Sequence, residues 1–434
     1  MADFMQQAVS AAAATAPDWL RDIQSRGRAA WQQTPMPTRK TEAWKYTSLE
    51  ALKQPFAPGS RNVTATDVSD IRFPALGGPT LVFADGQFRA DLSSLELPAG
   101  ISLVRFEDAS AEQAALISAQ LGTAVLPHRH VFAALNDATL ADGVFLQVDA
   151  GITVEAPIQI VWLTSGQSGA ISMNQRLLVS LQANSQATVV ETFANATTGG
   201  TPFTNGITEL LVGRGARLNH YRLHLEQGNA VHIGGVHARL DQDSLLNGFH
   251  IALGSALKRI DVVVDHQGSG GHCELDGIYL PRDREIVDYH TCIEHSVPHC
   301  SSRERFRGII ADEATAIFNG RIHIHPQAQK TRAELSNKNL LTSNKAEVNT
   351  KPELEIYADD VQCAHGATVA QLDPSTLYYL RTRGISKEEA EVMLSYGFIN
   401  ELVEAIAEPG LQDYLKPLLA RRFSRDSRLT RHLL

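Results

Sequence analysis

Ala216-Arg-Leu-Asn-His-Tyr-Arg-Leu-His-Leu225 and Ser244-Leu-Leu-Asn-Gly-Phe-His-Ile-Ala-Leu253 are one pattern written twice, 28 residues apart. Leu275-Asp276-Gly277-Ile278 repeats Leu246-Asn247-Gly248-Phe249 at a spacing of 29, and Phe318-Asn319-Gly320 carries the same signature further on. Polar turns precede most copies: Asn184-Ser185, Arg214-Gly215, Asp241-Gln242-Asp243, Ser269-Gly270-Gly271 and Asp312-Glu313. Self-similarity near 28 residues, built from short strands and turns, is the mark of a β-solenoid. A β-sandwich has turns at short intervals but no reason for this spacing. Each coil is expected to bury one strand face and leave the other outside. The recurring Asn, Asp and Gly suit corners that need left-handed or bulged backbone.

The strand texture extends beyond these copies. From about Asp142, stretches such as GVFLQVDAGITVEAPIQIVWL (143–163) alternate with turns until about GATVAQLD (366–373). Residues 1 to about 75 read as helices broken by turns, with one from Asp18 stopping near Pro35-Met36-Pro37. LVFADGQF (81–88) reads as a hairpin turning at Asp85-Gly86, and an Ala-rich helix follows it. After the strands, Asp373-Pro374 opens a helix closed by Gly384. Ser386 and Glu389 form a capping box for a second helix that ends near Gly397. FINELVEAIAE (398–408) makes a third, stopped by Pro409-Gly410. The expected organisation is mainly β: an N-terminal helical and small α+β domain (1–135), a solenoid core (136–372) and a C-terminal helical domain (373–434).

Composition sets the outer bounds. At roughly 150 residues per domain, 434 residues make about three units or one long repeat domain. A net charge of −9 argues against nucleic acid or an anionic membrane as the main partner. No basic, apolar leader opens the sequence and no long apolar run follows, so a cytoplasmic protein is expected. Cys273, Cys292, Cys300 and Cys363 include no C-x-x-C pair and are expected to be reduced. The basic side chains near the end (Lys416, Arg421, Arg422, Arg425, Arg428, Arg431) read first as a solvated tail, and second as a docking surface for an acidic partner.

Twelve of the 16 histidines lie between His220 and His325, with three of the four cysteines. These are the donors of soft and borderline metal sites, although an imidazole on an outer strand face is also an innocuous residue. In Val287-Asp-Tyr-His-Thr-Cys-Ile-Glu294, alternation puts Val287, Tyr289, Thr291 and Ile293 on the core face. Asp288, His290, Cys292 and Glu294 then point outward together. Same-face neighbours on a strand lie about 7 Å apart, so such a row needs an adjacent coil to chelate and reads as structural. Cys363 and His365 share a face just before the strands end, and an exposed solenoid end is an edge that proteins cover or pair. A thiol and an imidazole there are placed to be joined by ligands from another chain. No phosphate-binding loop, nucleophile elbow, H-E-x-x-H or strand-linked G-x-G-x-x-G occurs, which favours a scaffold over an enzyme.

Several stretches resemble one family. They are PTRKTEAWKYTSL (37–49), LVFADGQF (81–88), PHRHVFAALNDA (127–138), PFTNGITEL (202–210), HTCIEHSVPHCSSR (290–303), the run from Ser336 to Asp373 and YYLRTRGISKEEAEVML (378–394). N-T-K-P-x-L-E-I followed by D-D-V-x-C-x-H-G-A-T, at 349–368, is the most specific of these. The chain resembles the SufB/SufD family, the scaffold proteins of the SUF iron–sulfur cluster assembly machinery. The resemblance implies a right-handed parallel β-helix core with helical N- and C-terminal domains. It also implies a heterodimer of SufB and SufD joined at the β-helix ends, and a SufC ATPase on each helical C-terminal domain. Nucleotide hydrolysis would then lie in SufC, and sulfur would come from a cysteine desulfurase system. The iron–sulfur cluster would be transient and shared with SufB, and the matching ligand positions here are Cys363 and His365. SufB proteins resemble E-H-E-A-T where this chain reads Ala364-His365-Gly366-Ala367-Thr368, so the resemblance is to the SufD branch. A homodimer of the isolated chain would lack half the ligands. Two rivals are a solenoid that positions SufB and SufC without touching iron, and a β-helix carbohydrate-active enzyme, which should cluster carboxylates where this chain has histidines.

Overall fold

The computed structural model describes residues 2–58, 68, 71–125, 130–165, 169–196, 200–424 and 429. Arg425, Arg428 and Arg431 of the basic tail, and residues 127–129 of PHRHVFAALNDA, lie outside them.

From Val144–Val148 onward, successive strands alternate between two sheets, so that each coil contributes one strand to each. The first sheet runs from Val144–Val148 through Ala170–Leu181, Thr201–Val212, Val231–Leu240, Leu257–His266, Ile286–His295 and Thr315–Ile324 to Glu347–Ile356. The second runs from Ile158–Thr164 through Gln186–Asn195, Arg217–His224, Leu245–Leu253, His272–Leu280, Ser301–Ile310 and Arg332–Leu341 to Gln362–Gln371. Neighbours within each of these runs pair in parallel. This is the expected β-solenoid.

The repeat that pointed to it is a stacking register. Arg217 pairs with Leu245 and His224 with Ala252, a spacing of 28. The second match is not a register. Leu245–Leu253 stacks on His272–Leu280 at a spacing of 27, so Gly248 lies opposite Leu275, not Gly277. The offset of two between sequence match and stacking keeps every side chain on its face. Phe318-Asn319-Gly320 belongs to the other sheet. The polar turns are the corners: Asn184, Gly215, Asp243, Gly270 and Asp312 all have φ between 52° and 79°. The repeated glycines do something else. A Cβ on mid-strand Gly277 would lie 2.1 Å from the Phe306 ring, so glycine makes room for the aromatic of the next coil. Tyr289, Phe306 and Phe318 stack through this space with centroids 5.5 and 4.9 Å apart.

Much of each outer face is covered, whereas the expectation was an exposed face on every coil; Arg303, Arg332 and Glu334 are among the outward side chains that stay exposed. Helices α1 (Ala2–Thr15), α2 (Arg21–Gln33), α3 (Ala111–Gln120) and α4 (Val131–Ala138) belong to the N-terminal region. Phe4, Trp44, Phe56 and Phe132 pack on Phe203, Val231, Ile233 and Leu257 of the first sheet. Buried Arg176 fastens α4 through Asp137 at 2.8 Å and also holds Glu209 of the first sheet at 2.6 Å. After the solenoid come α5 (Pro374–Thr382), α6 (Lys387–Glu404) and α7 (Pro409–Phe423). Ile399, Leu402, Leu411 and Leu415 of α6 and α7 cover Tyr221, Phe249, Ile278 and Leu340 on the second sheet.

Two C-terminal expectations change. α6 does not end at Gly397 but runs on to Glu404. A helical glycine costs about 1 kcal/mol against alanine, and full burial of Ile399, Leu402 and Val403 just beyond it outweighs that. FINELVEAIAE is therefore mostly the second half of α6, and Pro409 is not a stop but the first residue of α7. Among the described residues no helix is long and apolar enough to cross a membrane.

Candidate functional site

The two ends of the solenoid differ. At the N-terminal end the first sheet finishes in the antiparallel strand Ile101–Arg105, and the second in Thr80–Ala84, parallel to Ile158–Thr164, which turns back into the two-residue antiparallel strand Gln87–Phe88. At the C-terminal end Glu347–Ile356 and Gln362–Gln371 each pair on one side only. Both leave a row of backbone donors and acceptors without a neighbouring strand. Ile356, Tyr357 and Val369 stand 41, 61 and 49% exposed there.

Cys363 and His365 lie on the terminal strand at this end. They stack on Ala333 and Leu335, both core residues, so the pair belongs to the row that faces the solenoid interior. Cys363 is half-buried against that core, and burial pushes its thiol up, which keeps it neutral in the chain alone. His365 is exposed because no further coil stacks on it. One thiol and one imidazole make an incomplete donor set. Among the described residues neither takes part in a cluster of three potential ligands.

The row Asp288, His290, Cys292 and Glu294 does sit opposite the core face, since Val287, Tyr289, Thr291 and Ile293 are buried. It does not face open solvent. Asp288 is fully buried, accepting from Arg259 Nη1 at 2.8 Å and from Thr47 of the N-terminal segment. Burial opposes its ionisation, but Arg259 and His290 outweigh burial and hold it near 2. Arg259 in turn stacks on Trp44, 4.5 Å away. A cavity of about 630 Å³ remains under this cover, reaching His130, His290, Cys292 and Glu294. At its edge Glu294 meets His323 and His325 from the next coil. The sequence could not place them together, because they are 29 and 31 residues from Glu294 in the chain.

The interior holds residues that sequence reasoning missed. His220, Arg222 and His224 continue the inward row of Leu218, and all three are buried. Burial opposes ionisation of Glu191, but Arg222 and His220 overcome it and hold the carboxyl near 2. Tyr279 donates to Asn339 at 2.5 Å and accepts from Asn337 at 2.8 Å, and Thr350 joins through Asn337 at 2.8 Å. Seven of the twelve clustered histidines are buried, most of them on inward rows, while His237 lies on the outer face under the N-terminal cover against His130. Burial carries His266 down to about 4 and His237 to about 3. His224, Glu226 and His232 form a second, fully enclosed group of potential ligands. Lys258 already supplies a cation there, 3.5 Å from Glu226. The available signal was charge placed in phase with apolar residues along one strand row.

The SufBD core-domain model of the SUF cluster assembly system matches residues 163–398, and the model of the SufBD N-terminal region matches residues 1–160. The chain belongs to the SufBD family. It is 30% identical to the iron-sulfur cluster assembly protein SufD of Escherichia coli strain K12, over 90% of each chain. It is 29% identical to the SufBD family protein slr0076 of Synechocystis, over 89% of this chain and 87% of that one. Bacillus subtilis SufD is 26% identical over 94% of both. The two family models meet between residues 160 and 163, within the strand Ile158–Thr164. This SufBD-family chain is thus an iron–sulfur cluster assembly protein with homologues named SufD, and its open solenoid end lies in the matched core.

Proposed function

We infer that this chain is the SufD-type scaffold subunit of a SUF complex, paired with SufB through the open end of its solenoid. The observation that carries the reading is that end itself. Two terminal strands lack an outer partner, apolar side chains stand exposed beside them, and Cys363 and His365 lie on the inward row between them. A second solenoid end docked here would satisfy the backbone edges by strand pairing. It would also add the donors that this chain lacks. Iron in clusters is held mainly by thiolates, with imidazole an occasional replacement. A nascent cluster must later leave, and a mixed ligand set shared between two chains suits that release.

The SufC ATPase would dock on the C-terminal helices. α5 buries none of its residues, and Tyr378 and Tyr379 are 69 and 55% exposed on it. α6 and α7, by contrast, are committed to the second sheet. Removing everything after Asp373 would uncover that sheet, so the docking surface is better tested by substitutions on α5. Co-purification with SufB and SufC, then anaerobic reconstitution and visible spectroscopy, tests the whole reading. Loss of SufB pairing on replacing Ile356 and Val369 by lysine is expected. Pairing and cluster formation undisturbed by those changes would sink it.

A further inference from the structure

Glu294, His323 and His325 gather three metal-type donors on the outer side of the first sheet. They come from adjacent coils: Ile286–His295 stacks on Thr315–Ile324 with Glu294 opposite His323, and His325 follows directly. Glu294 Oε2 lies 2.5 Å from His323 Nδ1 and 2.9 Å from His325 Nε2. The two rings are 4.2 Å apart, and one donor atom from each residue can be chosen with all three within 4.8 Å of one another. An ion bound at about 2.0–2.2 Å from each donor fits such a group after small side-chain rotations.

The surroundings favour a cation held in a fixed geometry. Arg321 donates to Glu294 Oε1 at 2.8 Å, which fixes the carboxylate by its far oxygen and leaves Oε2 to the imidazoles. Glu355 accepts from the same guanidinium at 3.2 Å and offsets its charge. Cys292 lies on the Oε1 side, its Sγ 3.5 Å from that oxygen. Access is open: the His325 side chain is 39% exposed, and Glu294 also lines the cavity beneath the N-terminal segment. Two imidazoles and one carboxylate are the donor set of borderline divalent ions, with positions left for water.

We propose that Glu294, His323 and His325 form a binding site for a borderline divalent cation of the Fe²⁺, Co²⁺ or Zn²⁺ class, separate from the Cys363–His365 pair. That the ion is ferrous iron rests on the assembly reading above; the binding does not. Anaerobic Co²⁺ titration of the full chain carrying Cys363→Ala and His365→Ala isolates the site, because cobalt's visible bands report its ligands. One saturable equivalent with nitrogen and oxygen ligation is expected. His325→Ala, at an exposed position the fold tolerates, should weaken binding at least about tenfold, and Glu294→Gln should do the same with circular dichroism unchanged. No saturable equivalent in that background, or parent-like titration of both variants, overturns the site. Failure of SufB pairing or of cluster formation leaves each of these results as it is, so the two readings fall separately.

Discussion

Glu304 lies fully buried on the inward row of Ser301–Ile310. Burial pushes its carboxyl up from the ordinary 4.5 to about 7, against a smaller downward pull from Thr291. The folded chain therefore keeps a proton that the unfolded chain gives up. Stability linked to this group is fully present below pH 4.5, declines between 4.5 and 7, and is gone above 7. A gap of about 2.5 pH units, at 1.36 kcal/mol per unit, puts the loss near 3 kcal/mol at pH 8. Glu304→Gln keeps the shape and cannot ionise. It should exceed the parent in stability by about 3 kcal/mol at pH 8 and by less than about 1 kcal/mol at pH 5. Urea unfolding of both proteins at the two pH values, followed by circular dichroism, measures the difference. An equal advantage at both would show that Glu304 is already ionised in the folded interior, and the reasoning from burial would fail.

His365→Ala should leave β-sheet circular dichroism and partner binding intact yet abolish or sharply reduce cluster formation in the reconstituted complex, with Cys363→Ala milder. Clusters built at normal rate and yield by His365→Ala would favour a purely structural solenoid. Tyr378→Glu with Tyr379→Glu should cut SufC retention in a pull-down without lowering the melting temperature. Arg176→Met leaves Asp137 and Glu209 buried without their cation and should cost about 3–5 kcal/mol in denaturant unfolding. Gly277→Ala drives a methyl into the Phe306 ring and should cost about 1–3 kcal/mol, measured the same way.

The corners were legible because a left-handed residue leaves a mark of its own, and Asn184, Asp243 and Asp312 lie where the polar turns put them. The solenoid followed from the 28-residue spacing, which is a true register along Arg217–His224. The spacing of 29 was misleading because two coils of unequal length can slip by two residues without changing which face is buried. Gly397 looked like an end because a glycine's local cost is visible in sequence, whereas the sheet that α6 covers is not. The same holds for the outer row. Alternation placed Asp288 and Glu294 on one side, but their lids and partners, Thr47, His323 and His325, come from other coils and from the N-terminus. Cys363 and His365 were found as a same-face pair; that their face is the inward one depends on stacking over Ala333 and Leu335.

The unlike ends of the solenoid limit how far such a chain can polymerise. A rod of parallel coils with two bare ends would add copies head to tail without limit, the route to a fibre. Here the N-terminal end offers only the short antiparallel edges Ile101–Arg105 and Gln87–Phe88, whereas Glu347–Ile356 and Gln362–Gln371 leave two ten-residue parallel edges at the other. A particle with one long parallel edge and one short antiparallel edge favours joining once, through the long one. In the proposed pairing of two such ends, growth would stop at two solenoids, a chain-termination rule set by a few short strands near the N-terminus.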